Sequence, residues 1–335
     1  MFLNINKLYS YLSFIIISFI IALVVANRDL SIVADSLNYA NNFFYKDSLD
    51  FRYEYLFDIL TFLVRLFTDN YLIYFFILNF VLNFFIFKSL NLISKSFDFN
   101  RVYFLIFSFC VFILSSWYYV ASSNGVRQGL ALALAYYSLF YYVFHENKLK
   151  SFIFFIMSCF FHYSNFLLIP FLIFLKIKLN YLFFIVNLFG LFYFLGVNEV
   201  LVKSLSVTLG SPLYDSIKYY AEDGNYSYRY GFQGDLFIYT LGFIYLYFFI
   251  SKKVFKDNFL FEKIVKIYYI CTLPYFFFGF AAFSNRYGLI AWFFGIFINC
   301  LIVYFLFKRG GKEFFKLGLV STFFLALLFF YYRYF

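Results

Sequence analysis

KLKSFIFFIMSCFFHYSNFLLIPFLIFLKIK, residues 148–178, is the stretch on which the fold turns. Its apolar run from Leu149 to Leu175 is long enough to cross a bilayer once. It is interrupted in the middle by Phe160-Phe161-His162-Tyr163-Ser164-Asn165 and has lysines at both ends, Lys148 and Lys150 before it, Lys176 and Lys178 after it. Read as one span, it carries Lys176 and Lys178 across the membrane. The later clusters at Lys252, Lys253, Lys256, Lys263 and Lys266, and at Lys308, Arg309, Lys312 and Lys316, go with them, against the preference of basic loops for the cytoplasm. Split at His162, the run becomes two arms of about 12 residues, each about 18 Å long at α-helical rise. Every later basic loop then returns to the cytoplasmic side. We expect a short broken-helix hairpin with His162 at or near its tip, because irregular backbone at membrane depth is tolerated only where it is buried in protein or lines a cavity.

The rest of the chain has the same character. Of its 335 residues 64% are hydrophobic and 29% aromatic, and the mean hydropathy is +0.82. Soluble domains are near half apolar, so these values exclude one. Windows able to span are Leu8–Ala26, Tyr71–Lys88, Arg101–Ala121, Gly125–His145, Leu149–Leu175, Asn180–Val197, Asp235–Ser251, Ile264–Phe283, Gly288–Phe307 and Leu317–Tyr332. The expected fold is all-α, a polytopic membrane protein of about 10–11 transmembrane helices with the hairpin counted. It forms a single integral membrane domain over residues 1–335. The first window lacks a small-residue cleavage site and reads as a span rather than a signal peptide. A net charge of +10 records cytoplasmic loops and does not call for a nucleic-acid partner. Cys110, Cys159, Cys271 and Cys300 lie in apolar segments without metal or disulfide spacing and read as small core residues.

Two large loops face outward in this topology, residues 27–70 and 198–234. The first is acidic and ends in an amphipathic helix over Tyr53–Phe67, with Leu56, Ile59, Leu60, Leu63, Leu66 and Phe67 on one face. This helix is expected to lie along the membrane surface. The second, around Ser211-Pro212-Leu213-Tyr214 and Glu222-Asp223-Gly224-Asn225-Tyr226, reads equally well as a lid, a sugar-binding wall or a solvated connector.

The topology also sorts the cations. Cytoplasmic loops carry mostly lysine, whereas the outward positions include Arg28, Arg52, Arg65, Arg127, Arg229, Arg286 and Arg333. Lysine satisfies the insertion rule; arginine outside asks for another reason, and guanidinium is the bidentate ligand for phosphate and carboxylate. Arg127, in Asn124-Gly125-Val126-Arg127-Gln128-Gly129, and Arg286 stand at the outer ends of spans and suit a pyrophosphate there. Arg28, Arg52 and Arg65 are better matched to the acids of the first loop. His162 at the forced break reads as a base, a phosphate or sugar ligand, or a bracing core histidine. The cytoplasmic loops carry no Gly-rich phosphate cradle, and no metal-ligand pattern exists, so neither a nucleotide nor a metal cofactor is expected.

A pattern runs through these residues. Arg28, then Asp35-x-x-x-Tyr39, follow the first span; Glu54 precedes the amphipathic helix. Arg127-Gln128 opens a span, Phe161-His162-Tyr163-Ser164 and Pro170 sit in a later one, and Arg286-Tyr287 comes near the end. This order resembles the EpsG family of exopolysaccharide and O-antigen polymerases, the Wzy-type enzymes, over nearly the whole chain. Members often have Gly-Thr-Asp where this chain has Val33-Ala34-Asp35, and Gly or Pro where it has Tyr55.

The resemblance implies a membrane glycosyltransferase of GT-C-like architecture in the bacterial cytoplasmic membrane, with its site facing outward. It would join oligosaccharide repeat units carried on undecaprenyl pyrophosphate, with a sugar hydroxyl attacking the anomeric carbon and lipid pyrophosphate leaving. Donor and acceptor glycolipids, the surrounding lipids and a chain-length regulator are the implied partners. On that reading Arg127, Arg286 and Arg28 bind pyrophosphate. Asp35 is first choice for the base, with His162 next and Glu54 third. Gln128, Asn124, Ser164 and Tyr39 orient phosphate or sugar. An O-antigen ligase shares this donor and these residue types. A flippase or other transporter would show repeated halves, and the sequence has none.

Overall fold

The computed structural model describes residues 5–30, 34–46, 48–145, 147–208, 210, 214 and 230–334. Every regular element among them is helical. The Glu222–Tyr226 stretch and Arg229 lie outside the described residues. The chain divides into two compact units, residues 1–165 with 296–335, and residues 166–295.

The first unit contains α1 (Ile5–Ala26), α2 (Ala34–Phe44), α3 (Tyr55–Arg65), α4 (Tyr71–Ser96), α5 (Arg101–Leu114), α6 (Ser116–Tyr119), a π turn (Val120–Asn124), α7 (Val126–His145) and α8 (Lys148–Phe161). Asparagine side chains start three of these helices. Asn70, Asn100 and Asn147 accept hydrogen bonds from the amides of Leu72, Tyr103 and Lys150, satisfying donors that a helix N-terminus leaves open. α7 is buried almost all round and packs on α4 and α8. Small residues make that close approach feasible: Gly129, Ala131, Ala133 and Ala135 are all buried in α7. Between α7 and α8, Ser138 Oγ donates to the Ser151 carbonyl at 2.6 Å and Ser151 Oγ to the Ser138 carbonyl at 2.9 Å. Such reciprocal bonds satisfy two buried hydroxyls and join the two helices.

The first large loop, residues 27–70, is a folded layer over most of its length. α2 and α3 pack on the start of α4 around Tyr39, Phe43, Phe57, Val64, Tyr74 and Phe75, with Phe43 and Tyr74 stacked at 4.5 Å. The expected amphipathic helix is present as α3. Its buried face is Phe57, Asp58, Thr61 and Val64. Leu63, Leu66 and Phe67, from the expected apolar face, are exposed. The layer below holds α3 by its mixed face, with Leu60 packed against it, and leaves Leu63 exposed.

The apolar run from Leu149 to Leu175 does break where expected. α8 ends at Phe161, and His162 is extended, with φ −159° and ψ 119°. The second arm differs from expectation. Tyr163–Lys176 is a 3-10 helix of 14 residues with Pro170 inside it. The residue before a proline is pushed out of the α region, and a 3-10 helix rises about 2.0 Å per residue. This arm therefore reaches about 28 Å instead of about 18 Å.

The second unit holds most of that 3-10 helix, then α9 (Leu179–Phe194), α10 (Val197–Thr208), α11 (Gly234–Lys253), α12 (Phe259–Phe278) and the first part of α13 (Ser284–Arg309). α12 packs on α9, α10 and α11. Aromatic side chains with buried polar ends tie the helices: Trp292 Nε1 donates to Thr240 Oγ1 at 2.9 Å, and Tyr269 to the Ile244 carbonyl at 2.9 Å. The rest of α13 and α14 (Lys312–Tyr334) belong to the first unit, where α14 packs on α5. All four cysteines are buried and free, as their apolar settings implied.

By length and composition, 4 of the described helices can cross a membrane, or 6 if two bent pairs each count as one span. Two expected single spans are these bent pairs. The Arg101–Ala121 window turns by 80° at Ser115, and the Asn180–Val197 window leads into an 85° bend between α9 and α10. Ser115 ends α5 and caps α6 by accepting from the Trp117 amide. Gly196, with φ +72°, supplies the left-handed turn after α9. The molecule is an all-helical polytopic membrane protein.

Candidate active site

The site is built on the junction between the π turn and α7. Gly125 N donates to the Val120 carbonyl five residues back, at 2.8 Å, which closes the wide turn. π turns of this kind recur at functional sites. α7 then starts hard against it. A Cβ on Gly129 would lie 2.1 Å from the Ala121 carbonyl oxygen, which is backbone and cannot swing aside. Gly129→Ala is therefore expected to lower stability by about 2 kcal/mol or more, as overpacking against an immovable neighbour does. Thermal unfolding in detergent checks this; an unchanged midpoint would show that the turn can yield.

Arg28 ties α1 to the same turn. Its guanidinium donates to the Val25 carbonyl at 2.6 Å, to Ser36 Oγ at 2.9 and 3.2 Å, and to the Ser123 carbonyl at 3.1 Å. It lies 4.3 Å from the centre of the Phe75 ring. Ser36 Oγ donates to the Ser123 carbonyl as well, at 2.8 Å. Beside Ser36 in α2, the Asp35 amide donates to Asn124 Oδ1 at 3.3 Å. α1, α2 and the π turn are thus stitched together by Arg28, Asp35, Ser36 and Asn124.

With that frame set, Arg127 at the start of α7 meets Glu54 at the start of α3. Arg127 Nη1 donates to Glu54 Oε2 at 2.6 Å. Arg127 Nε contacts the Tyr39 hydroxyl at 3.4 Å, and the guanidinium lies 4.1 Å from the Tyr53 ring centre. The other carboxylate oxygen, Glu54 Oε1, meets Nδ1 of His162. Glu54 occupies the N-cap position of α3 but makes no cap bond, because both its oxygens are engaged elsewhere. The carboxylate is buried, and Arg127 and His162 keep only a small part of their surface exposed.

These contacts set the electrostatics. Burial pushes the Glu54 carboxyl up, but the hydrogen bond and charge of His162 and the charge of Arg127 outweigh it and hold it at about 2. Glu54 is therefore ionised at neutral pH, so Nδ1–H of His162 is the donor to it. The pKa is depressed in the fold, so the stabilisation is complete above the ordinary value of about 4.5 and is lost as pH falls toward about 2. A depression of this size is worth roughly 3 kcal/mol. Acid unfolding of the wild type and Glu54→Gln should show the wild-type advantage shrinking across that window. Parallel curves would show that the fold does not favour the carboxylate.

Of the residues singled out in the sequence, Tyr39, Glu54, Arg127 and His162 are brought into direct contact. Arg28, Asp35 and Asn124 are in the frame that holds them. Gln128 is buried in α7, and Ser164 Oγ is buried with no hydrogen-bond partner among the described residues. Arg286 belongs to the second unit, at the start of α13, with its guanidinium 4.2 Å from the Phe283 ring centre. Sequence reasoning missed Tyr53, Ser36, Ser123 and the buried pair Lys46–Asp58. A signal for Lys46 existed: it is the only lysine in residues 27–70, a loop in which the insertion rule asks for none.

The model of the EpsG family matches residues 11–335. No curated protein and no solved structure gives a significant match. The match covers nearly the whole chain, including every residue of the cluster around Glu54, and the chain therefore belongs to the EpsG family, a family of Wzy-like polymerases.

Proposed function

We propose that this protein joins oligosaccharide repeat units carried on undecaprenyl pyrophosphate, at the outer face of the bacterial cytoplasmic membrane. The observation that carries the reading is the single carboxylate of Glu54 held between His162 and Arg127. A histidine fixed through Nδ1 to a carboxylate presents Nε2 for proton transfer, in the tautomer a general base needs. A guanidinium beside it supplies charge for an anionic leaving group.

In the proposed step, His162 Nε2 takes the proton of the attacking sugar hydroxyl. The hydroxyl oxygen bonds to the anomeric carbon of the growing chain. The bond from that carbon to the pyrophosphate oxygen breaks, and lipid pyrophosphate departs with the electron pair. Arg127 holds that charge. Glu54 orients His162 and stabilises its cationic form. It is not the base itself, because a carboxyl held at about 2 is a poor proton acceptor at neutral pH. Arg28 is committed to Val25, Ser36 and Ser123, so we assign it to bracing. Asp35 is a second candidate for the base. Tyr39, Asn124, Gln128 and Ser164 orient sugar or phosphate. The exposed Leu63 of α3, with Leu66 and Phe67 just after it, suits a helix lying in the membrane surface, with lipid tails on the apolar flanks. A chain-length regulator is the partner such an enzyme would have. No nucleotide and no metal enters this chemistry.

The test is incubation of the purified protein in nanodiscs with its lipid-linked repeat unit and no nucleotide sugar. A ladder of polymer is the expected product. Unchanged repeat unit, with protein and substrate intact, would remove the polymerase reading. Transfer to an added lipid-A core acceptor instead would mark a ligase, and movement of glycolipid across the bilayer a flippase.

A further inference from the structure

Lys46 and Asp58 form an ion pair that the proposed chemistry does not use. Their side chains are 1% and 0% exposed, and Lys46 Nζ lies 3.1 Å from Asp58 Oδ1. Removing two charges from water costs several kcal/mol each, and a buried pair seldom adds net stability over an apolar one of equal volume. A pair kept under that cost calls for a local reason. Both partners have further contacts that supply one. Asp58 Oδ2 accepts from the Tyr53 amide at 2.6 Å. Lys46 Nζ lies 3.1 Å from Asp50 Oδ1 and also donates to the Asp50 carbonyl. The segment between α2 and α3 is therefore clasped at Asp50 and at Tyr53, on either side of Phe51 and Arg52.

The chain leaves the clasp directly into the site. Tyr53 provides the ring under Arg127, and Glu54 provides the carboxylate for Arg127 and His162. A helix is usually entered with its N-cap side chain folded back onto its own amides. Glu54 has given that up, and the entry to α3 is held instead by Asp58, four residues on, reaching back to Tyr53. We propose that Asp58 is a positioning residue for the Glu54–His162 pair, with Lys46 compensating its buried charge: Asp58 holds the Tyr53 amide, and with it the chain entering α3, so that the N-cap carboxylate stays free to bridge the histidine and the arginine. This rests on the reading of Glu54 and His162 as the reacting pair, and its test is chosen to be separable from it.

The chain has 2 histidines, so isotopic labelling of histidine gives two ring signals, and His162→Ala assigns them. Four proteins are compared: the wild type, Glu54→Gln, the double variant Lys46→Met with Asp58→Asn, and the double variant Lys46→Met with Asp58→Leu. Both doubles remove the buried charges together and fill their volume, so neither strands a charge. Only the asparagine keeps an acceptor for the Tyr53 amide. The asparagine double should titrate at His162 like the wild type and polymerise within about threefold of its kcat. The leucine double should titrate like Glu54→Gln and lose about 10²-fold in kcat with KM little changed, the scale of effect that a misplacement of about 1 Å has. The leucine double should also melt at a lower temperature than the asparagine double, because it leaves the Tyr53 amide without its acceptor. The proposal is overturned if the leucine double keeps the wild-type titration and rate, or if the two doubles differ in thermal midpoint alone. Separated His162 titrations in a wild type that makes no polymer would sink the polymerase reading and leave the positioning role standing.

Discussion

Glu54→Gln is expected to leave a folded protein whose polymerisation rate is reduced by about 10²–10⁴-fold, the range a general base accounts for. Glutamine has the right size and keeps one acceptor. It cannot keep both contacts. If its oxygen accepts from His162 Nδ1, its NH₂ group faces the Arg127 Nη1 donor that now bonds Glu54 Oε2 at 2.6 Å; turned the other way, two donors meet at His162. Either way the fixed imidazole or the compensated guanidinium is lost. Asp at this position keeps the charge but is one methylene shorter, so it can reach one partner and not the other. His162→Ala should match the glutamine variant, and the double variant should be no slower than either single one, because residues acting as a unit are not additive. Turnover of lipid-linked repeat unit in nanodiscs measures all three. A glutamine variant within about tenfold of wild type would exclude Glu54 from the reaction, leaving Asp35 as the base to test.

Why His162 was legible and its partner was not is a matter of range. The break at His162 is announced by lysines at both ends of one apolar run, a global rule of membrane insertion that needs no tertiary knowledge. Arg127 is announced by a permanent charge at a span's end, and Glu54 by its place before an amphipathic helix. None of these signals says that the three touch, since Glu54 and His162 are 108 residues apart and Glu54 and Arg127 73 apart. Their meeting depends on the π turn and on Gly129, whose missing side chain lets α7 start against Ala121. The bends at Ser115 and Gly196 were also hidden, because hydropathy averages over a serine or a glycine in a greasy run. α3 misled in the opposite direction. Its strongest apolar face was visible, yet the face it buries is Phe57, Asp58, Thr61 and Val64, a mixed set that no single periodicity marks. Lys46 was concealed by the same habit, since a lysine in an outward loop reads as solvated until its partner in the core is seen.

Arg127→Ala is expected to cost about 10²–10³-fold in kcat, the scale of losing one preorganised cation from a developing anion. Two roles are folded into that number. Arg127 helps keep Glu54 ionised, standing among the causes that hold its carboxyl at about 2, and on our reading it also holds the departing pyrophosphate. The two separate by competition with inorganic pyrophosphate. If Arg127 binds the leaving group, pyrophosphate inhibits the wild type and Glu54→Gln alike, and inhibition weakens by about tenfold or more in Arg127→Ala. The double variant should then be slower than Glu54→Gln alone. If Arg127 serves only Glu54, the double variant equals Glu54→Gln and inhibition is unchanged throughout, which would remove Arg127 from the leaving-group site. Arg127→Lys sharpens the distinction. Lysine keeps the charge but presents a compact ammonium in place of a planar fork. It can neutralise Glu54, but it cannot at once bond that carboxylate, reach Tyr39, lie flat against Tyr53 and direct further donors at a phosphate. No more than about a tenth of the wild-type rate should return with it.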